Sequence, residues 1–164
     1  MRRIRSMFCV LLPTLCIMLL GGPTKGADCE NYSKLRPPKI RVARKVRTDP
    51  AFGVPMVIIH ASIARKNLNE SDLITLACSL EREYAHEEEV FVRIFDNFKA
   101  ARTFHDTGEG NSGATTQSLR AEYAFTRHNR EQTLRWRPYP ESGVRESWNP
   151  VSLAPLPGTM GTKP

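Results

Sequence analysis

The hydrophobic pattern changes period once near the middle of the chain, and that change defines its centre. From Asn69 to His86 apolar residues recur at helical spacing. Leu73, Leu76, Ala77, Leu80 and Tyr84 form one stripe, which Ile74 and Cys78 widen. Asn69 suits the N-cap, and Glu70 and Asp72 place carboxylates at the positive end of the helix dipole. Glu81, Arg82 and Glu83 are assigned to the outer, solvated face. Glu87, Glu88 and Glu89 then stop the helix, because like charges gather where the dipole disfavours them. From Val90 the period becomes two: Val90, Val92 and Ile94 alternate with Phe91, Arg93 and Phe95. Both faces are largely apolar, so this is a central strand with one polar position, Arg93.

The flanking patterns complete a small fold. Val54–Ile63 is a continuous apolar run broken only by His60 and Ser62, as expected of a strand buried on both faces. Asn97–His105 reads as a short helix and Thr107–Gln117 as a glycine-bearing loop. Leu119–Thr126 and Gln132–Trp136 alternate around a turn at Arg127–Arg130, which predicts a hairpin. The order is β-α-β-short α-β-β. A helix joining two strands of one sheet implies a right-handed crossover. The expectation is a two-layer α+β sandwich over 54–136, with a four-stranded sheet covered on one face by one main helix.

The two flanks read differently. Residues 27–53 form a basic linker with Pro37, Pro38 and Pro50, in which Ile40 and Val42 are suited to a short edge strand. Residues 137–164 carry six prolines and no apolar period, and read as a disordered tail.

Residues 1–26 have the layout of a secretory signal. Arg2, Arg3 and Arg5 precede the apolar run Met7–Leu20, which Gly21, Gly22 and Pro23 end. The run suits an h-region and is short for a membrane span, which needs about 20 residues. Thr24 and Gly26 place cleavage near residue 26. The expectation is export to a periplasmic or extracellular compartment. Cys9 and Cys16 leave with the leader. Cys29 and Cys78 stay and form an even pair that an oxidising compartment allows to bridge. The simpler expectation is a core thiol at Cys78 and a loose thiol at Cys29, because a flexible tail rarely reaches a buried helix face.

Charge changes the picture once it is divided along the chain. The formal net charge is +7, yet 54–136 holds 10 basic and 12 acidic residues. Lys34, Arg36, Lys39, Arg41, Arg44, Lys45 and Arg47 concentrate the positive charge in 34–47. That segment suits contact with lipid headgroups or a polyanion, or a plain solvated linker. Interleaved aromatics are missing apart from Tyr32, so nucleic acid is disfavoured as a partner. Membrane contact is expected only through an uncleaved leader or the basic segment 34–47.

Motif chemistry is sparse. Gly108, Gly110 and Gly113 match the dinucleotide fingerprint by letter, without the strand before and the helix after that give it meaning. No cofactor is implied. The glutamates Glu87–Glu89 suit a solvated turn better than a cation site, since successive side chains on an extended chain point apart. No metal site is assigned. Catalytic residues are not identified. The best cluster is Asp96 at the end of the central strand, with His105 and Asp106 after it, and His60 on the first strand is a further candidate. Asp96 has a rival role as the N-cap of the following helix. Two functions follow. The first is a non-enzymatic exported module that binds a protein or the envelope. The alternative is a small hydrolase or metal-dependent enzyme using Asp96, His105 and His60.

Overall fold

A computed structural model describes residues 26–48, 53–139 and 147–156. The leader and the last eight residues lie outside the described residues, as does the expected behaviour of those parts. The described chain is α+β. Its strands are β1 (Ile40–Arg47), β2 (Met56–Ile63), β3 (Glu89–Phe95), β4 (Leu119–Thr126), β5 (Glu131–Trp136) and β6 (Asn149–Val151). They form one sheet in the order β1-β2-β3-β4-β5-β6. Only β2 and β3 are parallel, and every other neighbouring pair is antiparallel. Four strands match the expected order. The other two, β1 and β6, arise in stretches expected to be linker and tail.

The main helix, α2 (Glu70–Glu83), forms for the reasons its pattern predicts. The Asn69 side chain accepts a hydrogen bond from the Asp72 N–H at 3.0 Å. Leu73, Leu76, Ala77 and Leu80 are buried, together with Ile74 and Cys78. They pack in one cluster with Val57, Ile59 and Ala61 of β2, Val90, Val92 and Ile94 of β3, and Tyr123 and Phe125 of β4. These strand residues alternate along the chain, so they share one face.

The opposite face is also covered, contrary to the expectation of a sheet layered on one side. The short helix α3 (Phe98–Thr103) lies over the β1–β3 half of it. Ala100, Ala101 and Phe104 form a second core with Phe95 and Leu119. Asn97 caps α3, accepting from the Lys99 and Ala100 N–H groups. Asp96 therefore does not take the capping role. A further short helix, α4 (Gly113–Gln117), occupies the end of the expected glycine-bearing loop.

The edge strand expected at Ile40 and Val42 is β1, and it runs on through the basic residues to Arg47, a stretch whose charge suggests solvated linker. In the fold each strand cation leans back onto the domain. The Arg41 guanidinium lies 3.6 Å from the Phe98 ring centroid and the Lys45 ammonium 4.6 Å from that of Tyr84. Arg44 reaches Asp106 at 3.8 Å, and Arg47 pairs with Glu87. Long basic stems cover apolar surface while the heads keep polar or aromatic company. A register shift between Val42 and Arg44 turns the edge locally. Bulges and cations on an outer strand both discourage pairing with another chain.

The cysteines are bridged. Cys29, at the start of α1 (Cys29–Tyr32), is joined to Cys78 on α2 with Cα atoms 5.2 Å apart. The expected obstacle was a flexible tail, and the tail is instead docked. The Ala27 N–H donates to the Ser152 carbonyl at 2.8 Å, and the Ala154 N–H donates to the Ala27 carbonyl at 2.9 Å. Leu156 then fills the α2-side core.

Two glutamates are also placed differently from the sequence expectation. Glu81 is buried rather than solvated, and Arg127 binds both its carboxylate, at 3.3 Å, and its backbone carbonyl. Glu87 is buried between Arg47 and His86, not part of a solvated turn. The helix phase can be tested by denaturation. Leu80→Ala is expected to lose about 2–5 kcal/mol through the cavity it leaves. Glu81→Ala should cost about 1–3 kcal/mol, because Arg127 loses a charged partner. Glu83→Ala, on the exposed side, should stay within about 0.5 kcal/mol. Equal shifts for Leu80→Ala and Glu83→Ala would refute this packing.

Candidate functional site

The chemistry of the second face lies on a single row of side chains. Cross-strand pairing aligns Arg44 with His60, His60 with Arg93, Arg93 with Glu122, Glu122 with Arg135, and Arg135 with Pro150. Directly opposed positions hold their side chains close enough to interact. One row thus crosses the sheet from edge to edge, and the loop after α3 lowers Asp106 onto it.

Asp106 binds three members of the row. Its Oδ1 lies 2.9 Å from His60 Nε2 and also accepts from Arg93 Nη1, while Arg44 approaches Oδ2 at 3.8 Å. Arg93 Nε reaches on to Glu122 at 3.4 Å, and Arg135 Nε donates to the other Glu122 oxygen at 2.6 Å. Charges alternate along this chain of contacts. A carboxylate held by guanidinium groups is an acceptor, so His60 Nε2 is the donor in this contact.

The His60 side chain is 1% exposed. Its ring packs against Phe95 and edge-on to Phe104, with centroids 6.0 and 5.6 Å away. Nδ1 is buried with no hydrogen-bond partner among the described residues. A general base must lie within hydrogen-bond reach of the proton it takes. One His60 nitrogen is bonded to Asp106 and the other is enclosed.

Asp96 belongs to a separate cluster beyond the end of β3. Its Oδ2 accepts from Arg120 Nε at 3.0 Å and from the Tyr139 hydroxyl at 2.8 Å. The guanidinium groups of Arg65 and Arg120 lie 3.7 and 4.3 Å from the Tyr139 ring centroid. Partial burial, and then the hydrogen bond to the Asp96 carboxylate, push the Tyr139 phenol up from 10.0 to about 12. Burial likewise raises the Tyr123 phenol, aided by the charge of Glu81.

His105 is exposed, and its backbone is clamped by Asn111. The His105 N–H donates to Asn111 Oδ1, and Asn111 Nδ2 donates to the His105 carbonyl, both at 2.8 Å. Gly108 and Gly110 turn this loop with positive φ of 81° and 77°. Asp96, His105 and His60 therefore have different partners, and no hydrogen bond joins them. Asp106, one residue past His105, is the loop carboxylate that reaches His60. Among the described residues no three His, Cys, Asp or Glu side chains gather as a metal site requires.

The participants missed in the sequence are Arg44, Arg93, Glu122 and Arg135. Arg93 had left a signal, a lone charge in an apolar alternation. The others follow only from strand register. Beside this row, no described helix covers the β4–β6 half of the face, where the Trp148 ring lies against Arg135 and Arg137. That half forms a concavity of about 530 Å³ lined by Phe91, Ala124, Leu134, Arg135, Pro150 and Val151, among others. The chain matches no family model, no curated protein and no solved structure.

Two measurements check these assignments. Asp106→Ala should cost about 1–3 kcal/mol by leaving Arg93 and His60 without their acceptor. His105→Ala, next in the chain but exposed, should stay within about 0.5 kcal/mol. Equal effects would break the proposed row. The second concerns pH. The Tyr139 phenol has a higher pKa in the folded chain than its ordinary 10.0, so its stabilising effect is complete below pH 10.0 and declines towards about 12. In denaturation from pH 9 to 12, the stability gap between the wild type and Tyr139→Phe should therefore narrow. A constant gap would contradict the Tyr139–Asp96 contact.

Proposed function

We propose that this chain is an exported, non-enzymatic module that binds a protein partner through the half of its second face that no described helix covers. The observation that carries this reading is the inward commitment of its reactive groups. His60 is enclosed and held by Asp106, while Asp96 is occupied by Arg120 and Tyr139. That weighs against a hydrolase built on Asp96, His105 and His60. The same holds for the basic segment, whose strand cations are engaged by Phe98, Asp106, Tyr84 and Glu87. This supports a structural use of β1 over a tether to polyanions.

The concavity supplies what a binding surface needs. It has an apolar floor from Phe91 and Ala124, and a polar rim at Thr133 and Arg135. Interfaces commonly pair an apolar centre with a polar rim. Glu122 is neutralised from both sides by Arg93 and Arg135, so it does not repel an apolar partner group. Export is supported by the charged, apolar and small-residue order of 1–26 and by the Cys29–Cys78 bridge, since disulfides persist in oxidising compartments.

The test uses chemical cross-linking in the native host, with recovery of the exported fraction. The exported chain should begin between Gly22 and Cys29 by mass spectrometry. Wild type should capture a specific protein at least about tenfold better than Thr133→Arg, which places a long cation in the concavity. The variant's thermal midpoint should be unchanged. Intact Met1 on a cytoplasmic product would overturn export, and equal capture would overturn the assignment of the surface.

A further inference from the structure

We infer that the Cys29–Cys78 disulfide is an oxidation-set latch. It holds the two terminal segments as one strap that can open while the sheet core stays folded. The strap consists of 26–33 and 147–156. Ala27 sits between Ser152 and Ala154 through both of its backbone hydrogen bonds, at 2.8 and 2.9 Å. The second segment is then tied to the β4–β5 turn and β5. The Leu156 N–H donates to the Arg130 carbonyl at 3.1 Å, Arg130 Nε donates to the Leu156 carbonyl at 3.1 Å, and Gln132 Nε2 donates to the Ala154 carbonyl. The disulfide is the single covalent tie between this strap and α2.

The division of the core makes independent opening physically reasonable. Every fully buried member of the α2-side core lies between Val57 and Leu134, except Leu156. The strap otherwise contributes partly buried residues, including Ala27, Cys29, Tyr32, Val151 and Leu153. A segment with few buried contacts and edge hydrogen bonds belongs to the low-stability end of a fold. The bridge closes a loop with a sequence separation of 49 residues, so its loss restores much freedom to the terminal segment.

The two cysteine residues differ in exposure. Cys78 is fully buried, whereas Cys29 is partly exposed and lines a cavity of about 460 Å³ between Asp28, Glu30, Glu81 and Leu156. A thiolate of a small dithiol attacks Cys29 Sγ, forming a mixed disulfide and expelling Cys78 as a thiolate that takes a proton. The second thiol of the reagent then attacks its own mixed-disulfide sulfur, releasing the Cys29 thiol and closing a cyclic disulfide. Two electrons and two protons pass from reagent to protein.

Hydrogen exchange on the full chain tests the latch at amides far in sequence from both cysteines. With a small dithiol, and separately in the Cys29→Ser/Cys78→Ala double variant, Ala154 and Leu156 should exchange about tenfold faster or more. Val92, Ile94 and Tyr123 should keep their protection. Joint loss of protection across strap and sheet, or a double variant that does not fold, would show one cooperative unit and overturn the inference. Unchanged protection at Ala154 and Leu156 would overturn it equally, because the strap would then hold without its latch.

Discussion

Burial of the α2 stripe against the centre of the sheet is the contact on which the other features depend. Leu73, Leu76, Ala77 and Leu80 share one core with side chains of β4 and β5 and of β2 and β3, the one parallel pair among the described strands, whose side chains toward the helix are fully buried. Parallel pairing needs a crossover, and α2 is that crossover. Its phase sets more than the core. Cys78 lies within the stripe, which puts a sulfur where α1 can reach it. Glu81 lies at the margin of the stripe, where Arg127 at the β4–β5 turn binds its side chain and backbone. A shift of helix phase would lose core, bridge and ion pair together.

The second face solves a different problem. It must hold one histidine and several charges near the middle of a sheet. Removing charged groups from water is costly unless each finds a partner. Asp106 and Glu122 divide the task, each carboxylate bridging cations from neighbouring strands. The bridges connect β1 to β5 through side chains alone. Such a row favours one strand register, since a slip of one residue would turn each partner to the other face. Apolar rings of Phe95 and Phe104 enclose the histidine, which joins the ion row to the second core. The termini add the last layer: β6, Ala27 and Leu156 close the α2 side beyond β5.

Helix α2 with its buried stripe, and the chain order of strands β2 to β5, follow from the sequence alone, whereas Leu119 and the buried Arg120 and Glu122 of β4 do not. Each element has a local cause: a period of 3.6 with an Asn69 cap, or a period of two between turns. These patterns record which side chains leave water, and burial of apolar area is the main favourable contribution to folding. The α+β class was therefore readable from residues such as Leu80, Val92 and Tyr123. The isolated charge at Arg93 was also visible as an exception to its strand.

Tertiary structure decided what depends on partners distant in the chain. Arg41 and Lys45 look like linker cations until Phe98 and Tyr84 are beneath them, and those contacts accompany the full length of β1 beyond the Ile40–Val42 stretch that the sequence suggested. Glu81 and Glu87 look solvated until Arg127 and Arg47 arrive. His60 meets Asp106 across 46 positions, not the Asp96 or His105 that its sequence context suggested. Cys29 reaches Cys78 because the tail is pinned by Ser152 and Ala154, more than a hundred residues away. A charged or polar side chain carries no periodic signal of its own. Its free energy is set by the partner and by the water excluded around the pair, and both exist only once the chain has folded.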